Sequence, residues 1–203
     1  YLQVNPDGLV PTLVHDGATI TESSIINEYL DGCFPAPPLR PADEVALARM
    51  RYWVGVEEEQ LFKAVRPVTL NLIMKKIFQT YSDAEMDAFL AAHPKQYALG
   101  YLKKTFKEPP DAAAVEKGRR ALRSAFEAMD RELQTRPWLA GDAYSLADIA
   151  AAPVIDRIEA LNLDDLWDGL GALQDWIARL TARPAYGRAM PKERMGDVLG
   201  DND

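Results

Sequence analysis

Two short segments carry the strongest potential for chemistry in this sequence: Val10-Pro11, and Glu22-Ser23 followed by Ser24. The acid and hydroxyls of residues 22–24 stand at a predicted helix start. Backbone N–H groups are free there and the helix dipole is positive, so the corner favours an anion. Glu22 adds an acceptor for a cationic amine. One corner could therefore hold both charges of an α-amino acid head. Just before Pro11, the N–H and C=O of Val10 are open to pairing with an extended peptide, as in strand addition. A cis Val10–Pro11 bond would turn the chain and point those groups outward. A plainer reading stands beside this one, in which Thr21 or Ser23 merely caps the helix and Pro11 merely blunts a strand edge.

The elements that must position these residues follow from turn chemistry and periodicity. Asn5-Pro6-Asp7-Gly8 reads as a turn. Leu9–Val14 reads as a strand with Pro11 at its beginning or at an edge. Asp16-Gly17 marks a tight hairpin, and Ala18–Thr21 is the returning strand. A helix opening at Glu22-Ser23-Ser24 has apolar positions Ile25, Ile26, Tyr29 and Leu30 at helical spacing. Residues 31–41 contain four prolines and cannot continue a helix. They read as an inter-domain linker, with Phe34 and Leu39 tucked against one domain. Cys33 has neither a CxxC partner nor a nearby base and reads as a bland buried or semi-exposed thiol.

From Ala42 onward the pattern is helical. Residues 43–66 carry Ala46, Met50, Trp53, Val54, Leu61 and Val65 at helical spacing, and Pro67 is expected to break or kink that helix. Glu57-Glu58-Glu59 reads as a solvated face, or as carboxylates turned to a cleft or a dimer axis. Residues 68–78 form another apolar run, and Ser82 is a candidate N-cap for a short helix from Asp83. Residues 94–110 are the least regular, with Tyr97, Tyr101 and Phe106 among Lys95, Lys103, Lys104 and Lys107. They read as an insertion capping a substrate cleft or as a solvated loop. A helix resumes over Glu116–Leu133. Ser145 and Asp148 form a capping box with Asp in the place of the usual Glu or Gln, and Tyr144 and Ile149 fit its hydrophobic staple. Their role is structural. A last helix, Leu173–Arg183, ends at Pro184.

Composition sets the limits. The 203 residues suit one long domain or two small ones, with 48% hydrophobic and 27% charged residues, enough to bury a core. A net charge of −8 argues against nucleic acid or an anionic membrane as partner. The single cysteine and the two histidines, His15 and His93, leave no basis for a metal site. No apolar stretch approaches the ~18 residues of a membrane span, and the given residues do not open on a charged-then-apolar leader pattern. A cytoplasmic protein is expected.

The motif V-P-x-L, a D-G hairpin and T-E-S-x-x-I-x-x-Y-L resembles the glutathione-binding half of the thioredoxin-like domain of glutathione transferases. Two later segments also resemble that family: W-L-x-G-x-x-Y-S-x-A-D-I at Trp138–Ile149, and R-P-A-x at Arg183–Tyr186. The resemblance implies an α+β chain. A partial N-terminal thioredoxin-like unit without its first β-α-β (1–31) would be followed by a linker (32–41) and an all-α helical-bundle domain (42–203) with an insertion near 70–110. It implies that Val10, set before a cis-Pro11, pairs with the cysteinyl backbone of glutathione, and that Glu22 and Ser23 hold its γ-glutamyl end. Glutathione would be the co-substrate, with no metal, and a homodimer is implied. The catalytic group that stabilises the glutathione sulfur is expected in a β-α-β unit preceding Tyr1, so no catalytic residue is named. The segments N-P-x-G-x-V-P-x-L-x-H-D-G and L-R-P-A-D (Leu39–Asp43) are closest to bacterial β-etherase-like transferases. That similarity implies attack by glutathione thiolate on a small hydrophobic aromatic substrate, as in cleaving the β-aryl ethers of lignin-derived dimers. Tyr52 and Trp53 are the candidate pocket residues, with ordinary core packing as their alternative. A glutathione-dependent isomerase or dehalogenase, or a non-enzymatic interaction protein, stands as the alternative function.

Overall fold

The computed structural model describes residues 1–91 and 99–190. An antiparallel hairpin comes first, β1 (Thr12–His15) paired with β2 (Ala18–Thr21) in the register Thr12↔Thr21 to His15↔Ala18. Asp16 and Gly17 both take positive φ (49° and 79°), as a two-residue turn between twisted strands requires. The strand starts at Thr12 rather than Leu9. Asn5 is the reason: its buried amide donates to the Leu9 carbonyl at 2.7 Å and to Thr12 Oγ1 at 3.0 Å, which holds residues 5–11 as a turn leading into the strand. The Val10–Pro11 bond is cis.

Helix α1 (Ser23–Cys33) follows directly. It runs past Leu30 because Asp31 is drawn inward. Only 6% exposed, its carboxylate accepts from the Leu39 N–H at 2.6 Å and from Arg40 Nε at 2.8 Å. Burial pushes the Asp31 carboxyl up, but the hydrogen bonds from Leu39 and Arg40 outweigh it and hold it below the ordinary carboxylate range. The Leu39 carbonyl in turn accepts from the Leu146 N–H at 3.1 Å. The proline-rich stretch is thus fastened at Leu39 to both α1 and the helical part. Leu39 packs against the main core, whereas Phe34 and Cys33 are exposed, contrary to the tucked Phe34 and half-covered thiol expected.

The rest is helical, with a continuous rod as its spine. It comprises α2 (Glu44–Val56), a π-helical turn (Glu57–Leu61), α3 (Phe62–Thr69), a second π-helical turn (Leu70–Met74) and α4 (Lys75–Gln79). Asp43 caps its start by accepting from the Ala46 N–H at 2.9 Å. Pro67 lies inside α3 without breaking it. Burial of Ala64, Val65 and Val68 on either side of it outweighs the roughly 3 kcal/mol a helical proline costs.

Across from the rod lie α5 (Asp83–Ala91), α6 (Leu99–Lys107), α7 (Ala112–Leu133), α8 (Leu146–Ala160), a short 3₁₀ turn (Asp164–Trp167), α9 (Gly171–Thr181) and α10 (Pro184–Ala189). Helix α7 starts at Ala112, before the expected Glu116, because Asp111 accepts from the N–H groups of Ala113 and Ala114. The main core joins α2, α3, α7, α8 and α9 through Met50, Val68, Leu122, Phe126, Ile155 and Trp176, none exposed. At Gly118 the helices α7 and α3 meet backbone to side chain: a Cβ there would stand 2.5 Å from Val68 Cγ2 and 2.8 Å from the Ala64 carbonyl. Ser145 and Asp148 form the expected capping box at α8. This is the α+β arrangement, a hairpin and helix followed by an all-helical bundle.

A second, smaller core gathers Phe78, Met86 and Leu90, with Phe106 stacked on Phe78 at 4.1 Å between ring centres. That stacking explains why residues 99–107, expected to be irregular, are helical. Expectations for Pro94, Lys95 and Tyr97 fall outside the described residues. Asn71 and Lys75 tie this lobe to the bundle: Asn71 Oδ1 accepts from the Asp111 N–H at 2.8 Å, and Lys75 Nζ donates to the Pro109 carbonyl at 2.9 Å.

Candidate functional site

The hairpin returns the chain so that residues 10–11 and 22–23, apart in sequence, face the same hollow. Val10, Pro11, Glu22 and Ser23 all line one cleft of about 830 Å³. Its far wall is the rod, through Glu57, Glu58, Glu59, Phe62 and Arg66. Val10 is 81% exposed there. Neither Thr21 nor Ser23 caps α1. Glu22 occupies the cap position at φ 67°, ψ 120°, with no side-chain cap hydrogen bond. A non-glycine residue in that left-handed region is strained, and such strain concentrates at ligand sites. The first-turn N–H groups of α1 and the Glu22 carboxylate therefore both address the cleft.

The cleft carries opposite charges on opposing elements. Carboxylates at 22 and 57–59 suit an ammonium group, while the start of α1 and the Arg66 guanidinium suit carboxylates. A zwitterionic peptide with a second carboxylate matches that layout. The π-helical turn accounts for three consecutive glutamates reaching one hollow, since widening the helix shifts successive side chains relative to an α-helical face; such turns recur at functional sites. Arg66 was not legible in sequence. Only its place about two turns beyond the glutamates, on a helix that Pro67 fails to break, brings it here.

A second cleft of about 790 Å³ adjoins the first between α1, the rod and α8. The two share Ser23, Ser24, Ile25, Glu57 and Phe62. Its walls are largely apolar, with Tyr29, Val54, Leu146, Ile149, Ala150 and Pro153. Glu28 and Arg51 bridge it by two parallel hydrogen bonds of 2.8 and 2.9 Å. The Arg51 bond holds the Glu28 carboxyl below its ordinary range. Glu57 behaves oppositely. Burial, then the charge of Glu58, raises its carboxyl to about 7.

Tyr52 and Trp53 line neither cleft. Tyr52 is 62% exposed on the outer face of α2, and Trp53, 5% exposed, belongs to the main core. Their neighbours Arg51 and Val54 face the second cleft instead. Ser145 and Asp148 are buried at the start of α8, where Asp148 accepts from the N–H groups of Leu139 (3.1 Å) and Ser145 (2.9 Å) and from Trp176 Nε1 (2.8 Å). Among the described residues no three His, Cys, Asp or Glu side chains gather as metal ligands, and no helix is long and apolar enough to cross a membrane.

Comparison with known proteins agrees with this geometry. The profile "Glutathione S-transferase, C-terminal domain" matches residues 70–184, and "Glutathione S-transferase, N-terminal domain" matches residues 1–32. Protein LigF of Sphingobium sp. (strain NBRC 103272 / SYK-6) is 29% identical over 212 residues, spanning 98% of this chain and 80% of LigF. The crystal structure of that beta-etherase superposes with a TM-score of 0.80 at 27% identity, covering 92% of this chain and 79% of the other. FtsZ-localized protein A of Caulobacter vibrioides is 28% identical, over 92% of this chain and 72% of its own length.

Proposed function

The chain belongs to the glutathione S-transferase family, and from that premise we propose that it binds glutathione in the first cleft and uses the glutathione thiolate to displace the aryloxide of a β-aryl ether. One observation carries this reading: Val10, Pro11, Glu22 and Ser23 converge on a single cleft whose charges match the peptide. The Val10 backbone pairs with the cysteinyl residue. Glu22 takes the γ-glutamyl ammonium, and the Ser23 hydroxyl together with the N–H groups at Ser23 and Ser24 takes its carboxylate. Arg66 suits the glycyl carboxylate. The adjoining apolar cleft takes the aromatic electrophile, in keeping with the likeness to the beta-etherase LigF. Residues 1–31 supply the peptide site, 32–41 the linker, and 42–203 the helical domain with its insertion near 70–110.

A free cysteine thiol titrates near ~8.5, so the bound thiol needs stabilisation as an anion to attack at neutral pH. Residues 10, 11, 22 and 23 do not supply that. Their part is to hold the peptide with its sulfur toward the second cleft, which converts binding energy into proximity. Two copies of the chain pair as a homodimer in this reading, through the exposed apolar face of α2 that carries Val45 and Tyr52.

Calorimetric titration of glutathione into the intact protein tests the site. Wild type binds, and Glu22→Ala and Ser23→Ala each weaken binding by about tenfold, the loss of one charge-assisted hydrogen bond. Unchanged affinity in both variants rejects the assignment. Product analysis then separates ether cleavage, which leaves a thioether and a phenol, from glutathione-dependent isomerisation or reductive dehalogenation. The likeness to FtsZ-localized protein A favours one second reading, a non-enzymatic interaction protein. Absence of both glutathione binding and turnover selects it.

A further inference from the structure

Glu57 stands where the two clefts meet. Among the described residues it is the one carboxylate that lines both. Glu28, the other acid of the apolar cleft, is locked to Arg51, and Glu59 pairs with Lys63. The Glu57 side chain has neither hydrogen bond nor ion pair among the described residues. It is half-buried in the π-helical turn and lines both hollows.

Resting on the reading above, we propose that Glu57 is the general acid of ether cleavage, delivering its proton to the departing aryloxide oxygen. A sulfur held in the first cleft and an aromatic ether held in the second meet at their shared rim. Of the five residues forming that rim (Ser23, Ser24, Ile25, Glu57 and Phe62), Glu57 alone has a side chain that titrates near neutrality. The step balances. The thiolate sulfur bonds to the carbon bearing the ether oxygen, and the carbon–oxygen bond breaks with its electron pair on oxygen. That oxygen takes the Glu57 proton, and the Glu57 carboxylate regains one from water. No oxidant or reductant is involved.

A phenol ordinarily titrates near ~10, so an unassisted aryloxide leaves poorly and proton donation is worth on the order of 100-fold or more. A donor must hold its proton at working pH. The charged groups lining the two clefts with Glu57 are Glu58 and Glu59 on its own turn, Asp7 and Glu22 across the first cleft, Arg66 from α3, and in the second cleft Arg40 and the Glu28–Arg51 ion pair. Burial and Glu58 keep the Glu57 carboxyl protonated up to about pH 7. Glu22 and Glu58 remain for the ammonium of the peptide, so Glu57 is not needed for that task.

The test compares wild type, Glu57→Gln and Glu57→Asp on β-aryl ethers whose leaving phenols carry either alkoxy or nitro substituents, with glutathione affinity measured in parallel. Glu57→Gln is expected to slow alkoxyphenol ethers on the order of 100-fold and to leave nitrophenol ethers, whose oxyanion needs no proton, near the wild-type rate. The fall in kcat/KM above about pH 7 disappears in that variant. Glu57→Asp, which keeps an acid on a shorter arm, is intermediate in its leaving-group sensitivity and serves if the Gln variant does not fold. Equal slowing across the series, or an unchanged alkaline limb, overturns the proposal. Loss of glutathione affinity without a leaving-group effect also overturns it and makes Glu57 an ammonium partner. If wild type binds glutathione but cleaves none of the ethers, the ether-cleaving reading fails and takes this inference with it.

Discussion

The indole nitrogen of Trp176 donates to Oδ1 of Asp148 at 2.8 Å, so the carboxylate that starts α8 also anchors α9. Both side chains are fully buried. Burial raises the Asp148 carboxyl despite the donors from Leu139, Trp176 and Ser145 that pull it the other way. Both its oxygens are committed as acceptors, so an amide would turn N–H groups toward N–H donors. Asp148→Asn should therefore destabilise the protein by about 2–4 kcal/mol. Urea denaturation followed by tryptophan fluorescence checks this; a change below about 1 kcal/mol would show that the network is dispensable.

Stability near Glu57 should depend on pH in a defined direction. Its carboxyl titrates at about 7 in the fold against an ordinary 4.5. The native state thus holds this proton more tightly than the unfolded chain does. The resulting stabilisation is full below about pH 4.5 and is lost as pH rises through 7. Glu57→Gln, which cannot ionise, should exceed wild type at pH 8 by about 1–2 kcal/mol, less than the full shift implies because solvent screens the half-buried carboxylate, and match it at pH 4. Denaturation curves at both values decide the sign.

Arg66 faces the first cleft from α3. Under the proposed binding mode, Arg66→Gln should weaken glutathione about five- to tenfold at low ionic strength, with the difference shrinking as salt screens the exposed charge. Calorimetry at two salt concentrations provides the check. A salt-independent loss would mean that Arg66 acts by packing.

Asp31 predicts the behaviour of the proline-rich stretch. Asp31→Ala leaves the Leu39 N–H without its partner and frees Arg40. A loss of about 2–4 kcal/mol at neutral pH is expected. Because the fold lowers the Asp31 carboxyl, its contribution exists above pH 3.8 and fades as acid protonates it below that value. Limited proteolysis should then cut between residues 34 and 41 in the variant and spare wild type.

The small core around Phe78 should melt on its own. Phe78→Ala removes the ring against which Phe106, Phe89 and Tyr81 pack, a change that costs about 3–5 kcal/mol in a core. Amide exchange should accelerate over α4, α5 and α6 while the Leu122–Phe126 region of α7 keeps its protection.

Much of this organisation was legible because it is local. Asp16-Gly17 can only be a tight turn between two β-branched runs, and Ser145 with Asp148 writes its capping box within four residues. The convergence of Val10 with Glu22 was legible because the hairpin between them is short. Features set by distant packing were not. Pro67 predicts a break, yet the buried face of α3 carries the helix through. Phe106 predicts a loop until Phe78 is seen beneath it. In sequence Tyr52 and Trp53 are open to a pocket or to core packing; the rotation of α2 gives Trp53 the core and turns Tyr52 to the surface, leaving Arg51 and Val54 to the cleft. The part played by Glu57 depends on a π-helical turn, for which a run of three glutamates carries no signal.

Gly118 gives the molecule its gauge. The rod that forms the far wall of the first cleft rests on α7 at that position, where the absence of a single methyl group lets Val68 and the Ala64 carbonyl settle in. Phe62 and Arg66 ride on the same helix as Val68. A side chain at 118 would act as a shim, lifting the rod off its bed and toward α1. The width of the first cleft is in this sense set from behind, by a residue that does not line it.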